Sequence, residues 1–196
     1  MSISELNKSG PKLIQSDGHS LLEWQYRCDE KFKEKVKQSA NDYTNFSLAC
    51  APNSGKTDAA SRMMYTAKKN KESMKFIVVC PSDIIKNQWP ETAQKYGIIL
   101  STEINNRTLA QHQKIANDLD GMVITYGQLA QSPLIFRSLC FAKRTMVCFD
   151  ETHHMAVTKS WGEAALEAFE FAKIRLSLSG TPFRSDGNLI PFQEYK

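Results

Sequence analysis

The chain has 196 residues, enough for one domain with a hydrophobic core and hardly enough for two. Apolar residues make up 41% and charged residues 23%, ordinary fractions that exclude wholesale disorder. The net charge of +4 is compatible with a polyanionic partner but too small to establish one.

Residues 1–20 are polar, with Ser, Gly and Pro, and read as a flexible arm. From Leu21 to about Gln38 the pattern predicts a helix, with Leu22, Tyr26, Phe32 and Val36 on its apolar face. An alternation follows. Short apolar runs at 46–50, 76–80, 97–100, 122–125, 145–149 and 174–178 read as strands. The mixed stretches 57–69, 83–96, 108–119, 128–139 and 161–171 read as helices. Apolar runs without strict alternation suit strands buried on both faces. Strand and helix in turn predict an α/β fold, a parallel β-sheet sandwiched between helices. Ligands in such sheets bind at the carboxyl ends of the strands, so chemistry-bearing residues should follow the strands.

The five cysteines, Cys28, Cys50, Cys80, Cys140 and Cys148, form no CxxC pair. That spacing suggests neither a zinc ribbon nor a disulfide framework, and it fits a reducing compartment. No stretch approaches the length of a membrane span, and the N-terminus has no charged-then-apolar signal pattern. A cytoplasmic location with no membrane partner is expected.

After the first strand comes Cys50-Ala-Pro-Asn-Ser-Gly-Lys-Thr57, which resembles a Walker A phosphate loop. Gly55 lets backbone N–H groups close around phosphate, and Lys56 reaches the outer phosphates. Thr57 would ligate Mg2+, and the helix begun there points its positive end at the anion. Cys50 stands where the strict pattern has glycine. Asn53 stands where glycine is also common, and asparagine tolerates positive φ well. Asn53, Ser54, Gly55, Lys56 and Thr57 are therefore the expected nucleotide contacts.

The run 145–149 ends in Asp150-Glu151-Thr152-His153-His154. Two carboxylates at a strand end, facing a phosphate loop, have a clear use. Asp150 would hold Mg2+, and Glu151 would orient and deprotonate an attacking water. Zinc binding by the two histidines is disfavoured, because adjacent side chains point apart and no third ligand has suitable spacing.

Further elements follow the other strands: Val78-Val-Cys-Pro81 with Gln88-Trp89, Thr125-Tyr126 with Leu129, and Ser177-Leu-Ser-Gly-Thr-Pro-Phe-Arg184. Trp24-Gln25 lies about thirty residues before Lys56. In this order the elements resemble the first RecA-like domain of superfamily 2 DEAD/DEAH-type helicases, in the DExH style of restriction-enzyme motor subunits. The resemblance covers about residues 21–186, with 187–196 as the start of a linker. It implies a RecA-like P-loop NTPase domain that uses ATP and Mg2+.

It also implies roles. Gln25 would read the adenine edge, with a surface glutamine as the alternative. Ser82 and Thr125 would grip a nucleic-acid backbone. His153 would link nucleotide state to a neighbouring motif or to the other domain. Ser179 and Thr181 would hydrogen-bond the acidic motif, and Arg184 would contact nucleic acid or a partner domain. Trp89 reads as a core anchor ahead of a base-stacking platform. Only ten residues follow Asp186, so the second RecA-like domain that such motors need is expected in cis or in trans. The resulting expectation is an ATP hydrolase of the helicase or translocase type acting on nucleic acid, DNA favoured over RNA. The competing expectation is a non-hydrolysing module that binds ATP, nucleic acid or a protein.

Overall fold

The computed structural model describes residues 12–14, 18–38, 43–70, 74–157, 159–180 and 191–192. A short antiparallel pair comes first, β1 (Lys12–Ile14) with β2 (Ser20–Leu22). The segment expected to be a flexible arm thus contains a strand, whose partner leads directly into helix α1 (Glu23–Gln38).

Six strands then form one sheet: β3 (Thr44–Ala49), β4 (Lys75–Cys80), β5 (Leu100–Ser101), β6 (Gly121–Thr125), β7 (Thr145–Phe149) and β8 (Ile174–Ser179). Their spatial order is β3-β8-β7-β4-β6-β5, and every pairing is parallel. The connections supply helices α2 (Lys56–Asn70), α3 (Asp83–Gln94), α4 (Asn106–His112), α5 (Tyr126–Gln131), α6 (Pro133–Ala142), α7 (His153–Val157) and α8 (Lys159–Ala168). The expected α/β architecture is the one observed. Among the described residues no helix is long and apolar enough to cross a membrane.

The central strands are apolar throughout because they bury both faces. In β4, Phe76, Val78 and Cys80 join one core with Phe32 of α1, Met63 of α2 and Trp89 of α3. Ile77 and Val79 join the other, with Leu129 of α5, Phe136 of α6 and Ala165 of α8. β7 splits in the same way, Met146 and Cys148 against Val147 and Phe149. At the start of β6 the backbones approach so closely that a Cβ on Gly121 would lie 2.1 Å from the Phe76 carbonyl oxygen. Only glycine fits there.

Three expectations needed correction. The helix expected over 128–139 is two helices broken at Ser132, because Pro133 lacks an N–H and opens α6 instead. The helix expected over 108–119 is α4, started by Asn105, whose side chain accepts from Thr108 N–H, and stopped by Gln113 at φ 48°. The strand expected over 97–100 shrinks to Leu100–Ser101, because Gly97, at φ 67°, closes the end of α3.

The strand order sets the site. β8 lies between β3 and β7, and β4 lies beside β7. The ends of β3, β8, β7, β4 and β6 therefore carry residues 50–57, 179–180, 150–154, 81–82 and 125–126 along one edge.

Candidate active site

The loop after β3 rests on the end of β8. The Cys50 N–H donates to the Ser179 carbonyl at 3.1 Å, and a Cβ on Gly180 would come within 3.2 Å of Pro52 Cδ. Asn53 has φ 58° and Gly55 φ 94°, the backbone that the residue types suggested. Lys56 opens α2, and the first N–H groups of a helix have no partner one turn below. The Ser54 hydroxyl is buried beside the Cys50 thiol without a hydrogen-bond partner of standard geometry.

Gln25 sits under this loop. It is 3% exposed, so it is no surface residue. Its Oε1 accepts from the Leu22 N–H at 2.8 Å, and its Nε2 donates to the Gly55 carbonyl at 3.1 Å and to Asp58 Oδ2 at 3.3 Å. The amide expected to read a nucleobase already has its donor and acceptor engaged within the chain. A Cβ on Gly55 would lie 2.8 Å from Gln25 Nε2.

The acidic turn after β7 is pinned on both sides. Asp150 N–H donates to the Val79 carbonyl at 2.8 Å, and Thr152 N–H to the Leu178 carbonyl at 3.0 Å. Glu151 takes φ 50°, a conformation that costs a non-glycine residue about 1–3 kcal/mol and clusters at functional sites. Lys56 Nζ donates to Glu151 Oε1 at 2.6 Å. Lys56 is 7% exposed and Glu151 23%, so this pair is shielded more than a surface ion pair.

Asp150 is buried, and burial pushes its carboxyl above the usual range, while an N–H bond from Trp89 pulls it back. Trp89 Nε1 donates to Asp150 Oδ2 at 3.0 Å, and Tyr126 Oη donates to the Asp150 carbonyl at 3.0 Å. His153 Nδ1 lies 3.4 Å from Glu151 Oε2 without hydrogen-bond geometry. Burial, reinforced by His154, holds the His153 imidazole below its usual value.

The structure therefore brings Gln25, Gly55, Lys56, Asp150, Glu151 and His153 together. Ser82 and Thr125 stand at the ends of the neighbouring strands as helix N-caps. Ser82 Oγ accepts from Ile85 N–H at 3.5 Å, and Thr125 Oγ1 accepts from Gln128 N–H at 3.1 Å. Ser179 is buried and meets the phosphate loop through its carbonyl. Thr181 and Arg184 lie outside the described residues. Sequence reasoning missed the roles of Trp89 and Tyr126. The available signal was that a buried indole N–H or phenol O–H needs a partner.

The donor set fits a polyphosphate with a divalent cation. The loop offers an ammonium, helix N–H groups and the buried Ser54 hydroxyl. Asp150 and the Thr57 hydroxyl are hard oxygen donors of the kind Mg2+ takes.

Comparison with known proteins gives the family and the fold. The sequence profile of the family described as "Type III restriction enzyme, res subunit" matches residues 18–184. An uncharacterized protein of Mycobacterium leprae (strain TN) is 36% identical over 179 residues, which are 91% of this chain and 28% of that protein. The chain thus spans little more than a quarter of that relative's length. The SWI2/SNF2 ATPase core of Sulfolobus solfataricus, solved in complex with dsDNA, superposes with a TM-score of 0.62 at 22% identity, over 82% of this chain and 32% of that one. The UvsW helicase from bacteriophage T4 superposes with a TM-score of 0.56 at 13% identity, over 90% of this chain and 58% of that one. These likenesses show the fold.

Proposed function

The chain belongs to the family of the type III restriction enzyme res subunit and is a helicase-like RecA domain of superfamily 2; on that premise we propose that it binds ATP with Mg2+ and hydrolyses it under the control of nucleic acid. The observation that carries this reading is the 2.6 Å pair between Lys56, after β3, and Glu151, which follows Asp150 at the end of β7.

Each residue has a task at that edge. Asn53, Ser54 and Gly55 shape the loop around the phosphates. Lys56 exchanges Glu151 for a phosphate oxygen, which frees the Glu151 carboxylate to orient water and accept its proton. Mg2+, held by Thr57 and Asp150, would neutralise charge on the phosphates. An adenine at Gln25 would exchange against bonds that now tie the amide to Gly55 and Asp58.

Nucleic acid, DNA ahead of RNA, would lie across the ends of β4 and β6. There the Ser82 and Thr125 hydroxyls can still donate to phosphate, since their caps use only the oxygen as acceptor. His153 and Ser179 border both the acidic turn and the loop and would pass nucleotide state between them. Thr181 would hydrogen-bond the acidic motif, and Arg184 would contact nucleic acid or the partner domain. A second RecA-like domain, in cis or in trans, would supply the arginine that stabilises transferring phosphoryl charge.

Glu151→Gln tests the reading. The variant should hold Mg·ATP at least as tightly as the wild-type chain while turnover, measured with a second RecA-like domain supplied, falls by about 100-fold or more. No turnover by the wild-type chain even with a second RecA-like domain and DNA supplied, with binding retained, would make the chain a non-hydrolysing module.

A further inference from the structure

Two aromatic residues with no part in the proposed chemistry converge on Asp150. Trp89 lies in α3, the helix capped by Ser82, and Tyr126 opens α5 beside its cap Thr125. Both side chains are fully buried. The Trp89 indole N–H reaches the Asp150 side-chain oxygen and the Tyr126 hydroxyl reaches the Asp150 backbone carbonyl, each at 3.0 Å. The Asp150 amide is bonded to Val79 of β4. One aspartate is thus held at its carboxylate, its carbonyl and its amide by three different elements.

Packing alone does not require this convergence. A core position needs volume, which phenylalanine supplies at either site with no polar tip to satisfy. Here both polar tips are spent on one residue, 61 positions away from Trp89 and 24 from Tyr126. A buried carboxylate with a fixed donor on one oxygen presents the other in a set direction. Such orienting bonds are the usual support of a metal-binding side chain.

We propose that Trp89 and Tyr126 are positioning residues that fix the Asp150 carboxylate for the divalent cation bound with the nucleotide. The inference rests on the nucleotide site proposed above. A consequence is that a shift of α3 or α5, the helices capped by the two hydroxyls assigned to nucleic acid, is felt directly at Asp150.

The test compares the affinity of a fluorescent ATP analogue in Mg2+ and in EDTA for the wild-type chain, Trp89→Phe and Tyr126→Phe. Wild type should bind more tightly in Mg2+. Trp89→Phe should lose about 10- to 100-fold of that gain while its affinity in EDTA stays unchanged. Tyr126→Phe, which removes a single hydroxyl, should lose less in the same direction. Circular dichroism and melting temperature establish that each variant is folded, and if Trp89→Phe is not, Tyr126→Phe decides. A full Mg2+ gain in the folded variants, or equal losses in Mg2+ and EDTA, would overturn the proposal. Wild-type binding with no Mg2+ gain would instead overturn the cation site itself.

Discussion

The two faces of the sheet are held together differently. On the side of α1, α2 and α3 the core is laced with charge. Asp29, fully buried, takes Arg62 Nε at 3.0 Å, Thr66 Oγ1 at 2.7 Å and Lys33 Nζ at 3.0 Å. His19 stacks on Tyr96 with ring centroids 4.7 Å apart, and its Nδ1 lies 3.3 Å from Arg62. On the side of α5, α6 and α8 the contacts are mainly aromatic and apolar, and the buried Arg175 there donates from Nε to the Phe169 carbonyl at 2.9 Å without joining two helices. Phe149 meets Phe169 edge-on at 5.4 Å, and Tyr126 stacks on Trp161 at 5.4 Å. Apolar packing is non-directional and sets spacing. Hydrogen-bonded charge is directional, and here it joins α1, which carries Gln25, to α2, which begins at Lys56. The face that touches the phosphate loop is thus the one on which buried charge ties one helix to another.

The largest effects should come from breaking one group on each face. Asp29→Ala leaves Arg62 buried without its carboxylate and should cost about 3–5 kcal/mol in urea unfolding. Phe169→Ala should cost a similar amount, about 3–5 kcal/mol, through the cavity it opens. The two should separate in nucleotide binding. The folded fraction of Phe169→Ala should keep wild-type affinity, whereas Asp29→Ala should lose affinity because Gln25 and α2 are no longer held in register. Equal losses would erase the distinction between the faces. The double change Asp29→Leu with Arg62→Met sharpens it. Apolar replacement of a whole buried pair is often neutral or stabilising, so stability should return while affinity stays low.

A smaller effect concerns Asp150 and pH. Because burial holds its carboxyl above the usual range, the folded chain binds this proton more tightly than the unfolded chain does. The residue's contribution to stability is therefore most favourable in acid. It is lost as pH rises from the ordinary carboxylate value through the raised one, and it is constant above that. Asp150→Asn removes this loss. The variant should melt above wild type at neutral pH, with the gap closing in acid, and should bind ATP without a Mg2+ gain. A gap that widened in acid would contradict the sign.

The smallest effect is in thiol chemistry. Burial pushes the Cys80 and Cys140 thiols up to about 12 and Cys148 well above its usual value. Cys28 and Cys50 are only half-buried. A mild thiol reagent at neutral pH should label Cys28 and Cys50 first, and ATP should protect Cys50 beside the phosphate loop. Early labelling of Cys80 by mass spectrometry would show that the charge-laced core opens.

The strands could be read from the sequence because burial on both faces writes an unbroken apolar run, a local signal. The loop after β3 and the acidic turn after β7 could be singled out because each carries a short run of distinctive residue types directly after a strand, and the structure brings the two together. The rest depended on partners far along the chain. Nothing near Gln25 says that its amide will meet Gly55, or that Asp58 will share it. Nothing near Trp89 says that its indole will meet Asp150. The positive φ of Glu151 is imposed by the bonds that pin its neighbours to β4 and β8, and glutamate gives no hint of it. The break at Ser132 is a different case, since Pro133 marks it locally and the apolar periodicity masked it.

We propose that the carboxyl edge of the sheet is a Mg·ATP site able to turn ATP over. Its most direct test is ATP binding and steady-state hydrolysis by this chain in Mg2+, with and without single- and double-stranded DNA, beside Lys56→Ala. ATP binding that Lys56→Ala abolishes is expected, with turnover that rises with DNA once a second RecA-like domain is supplied. ATP bound equally well by wild type and Lys56→Ala would contradict it.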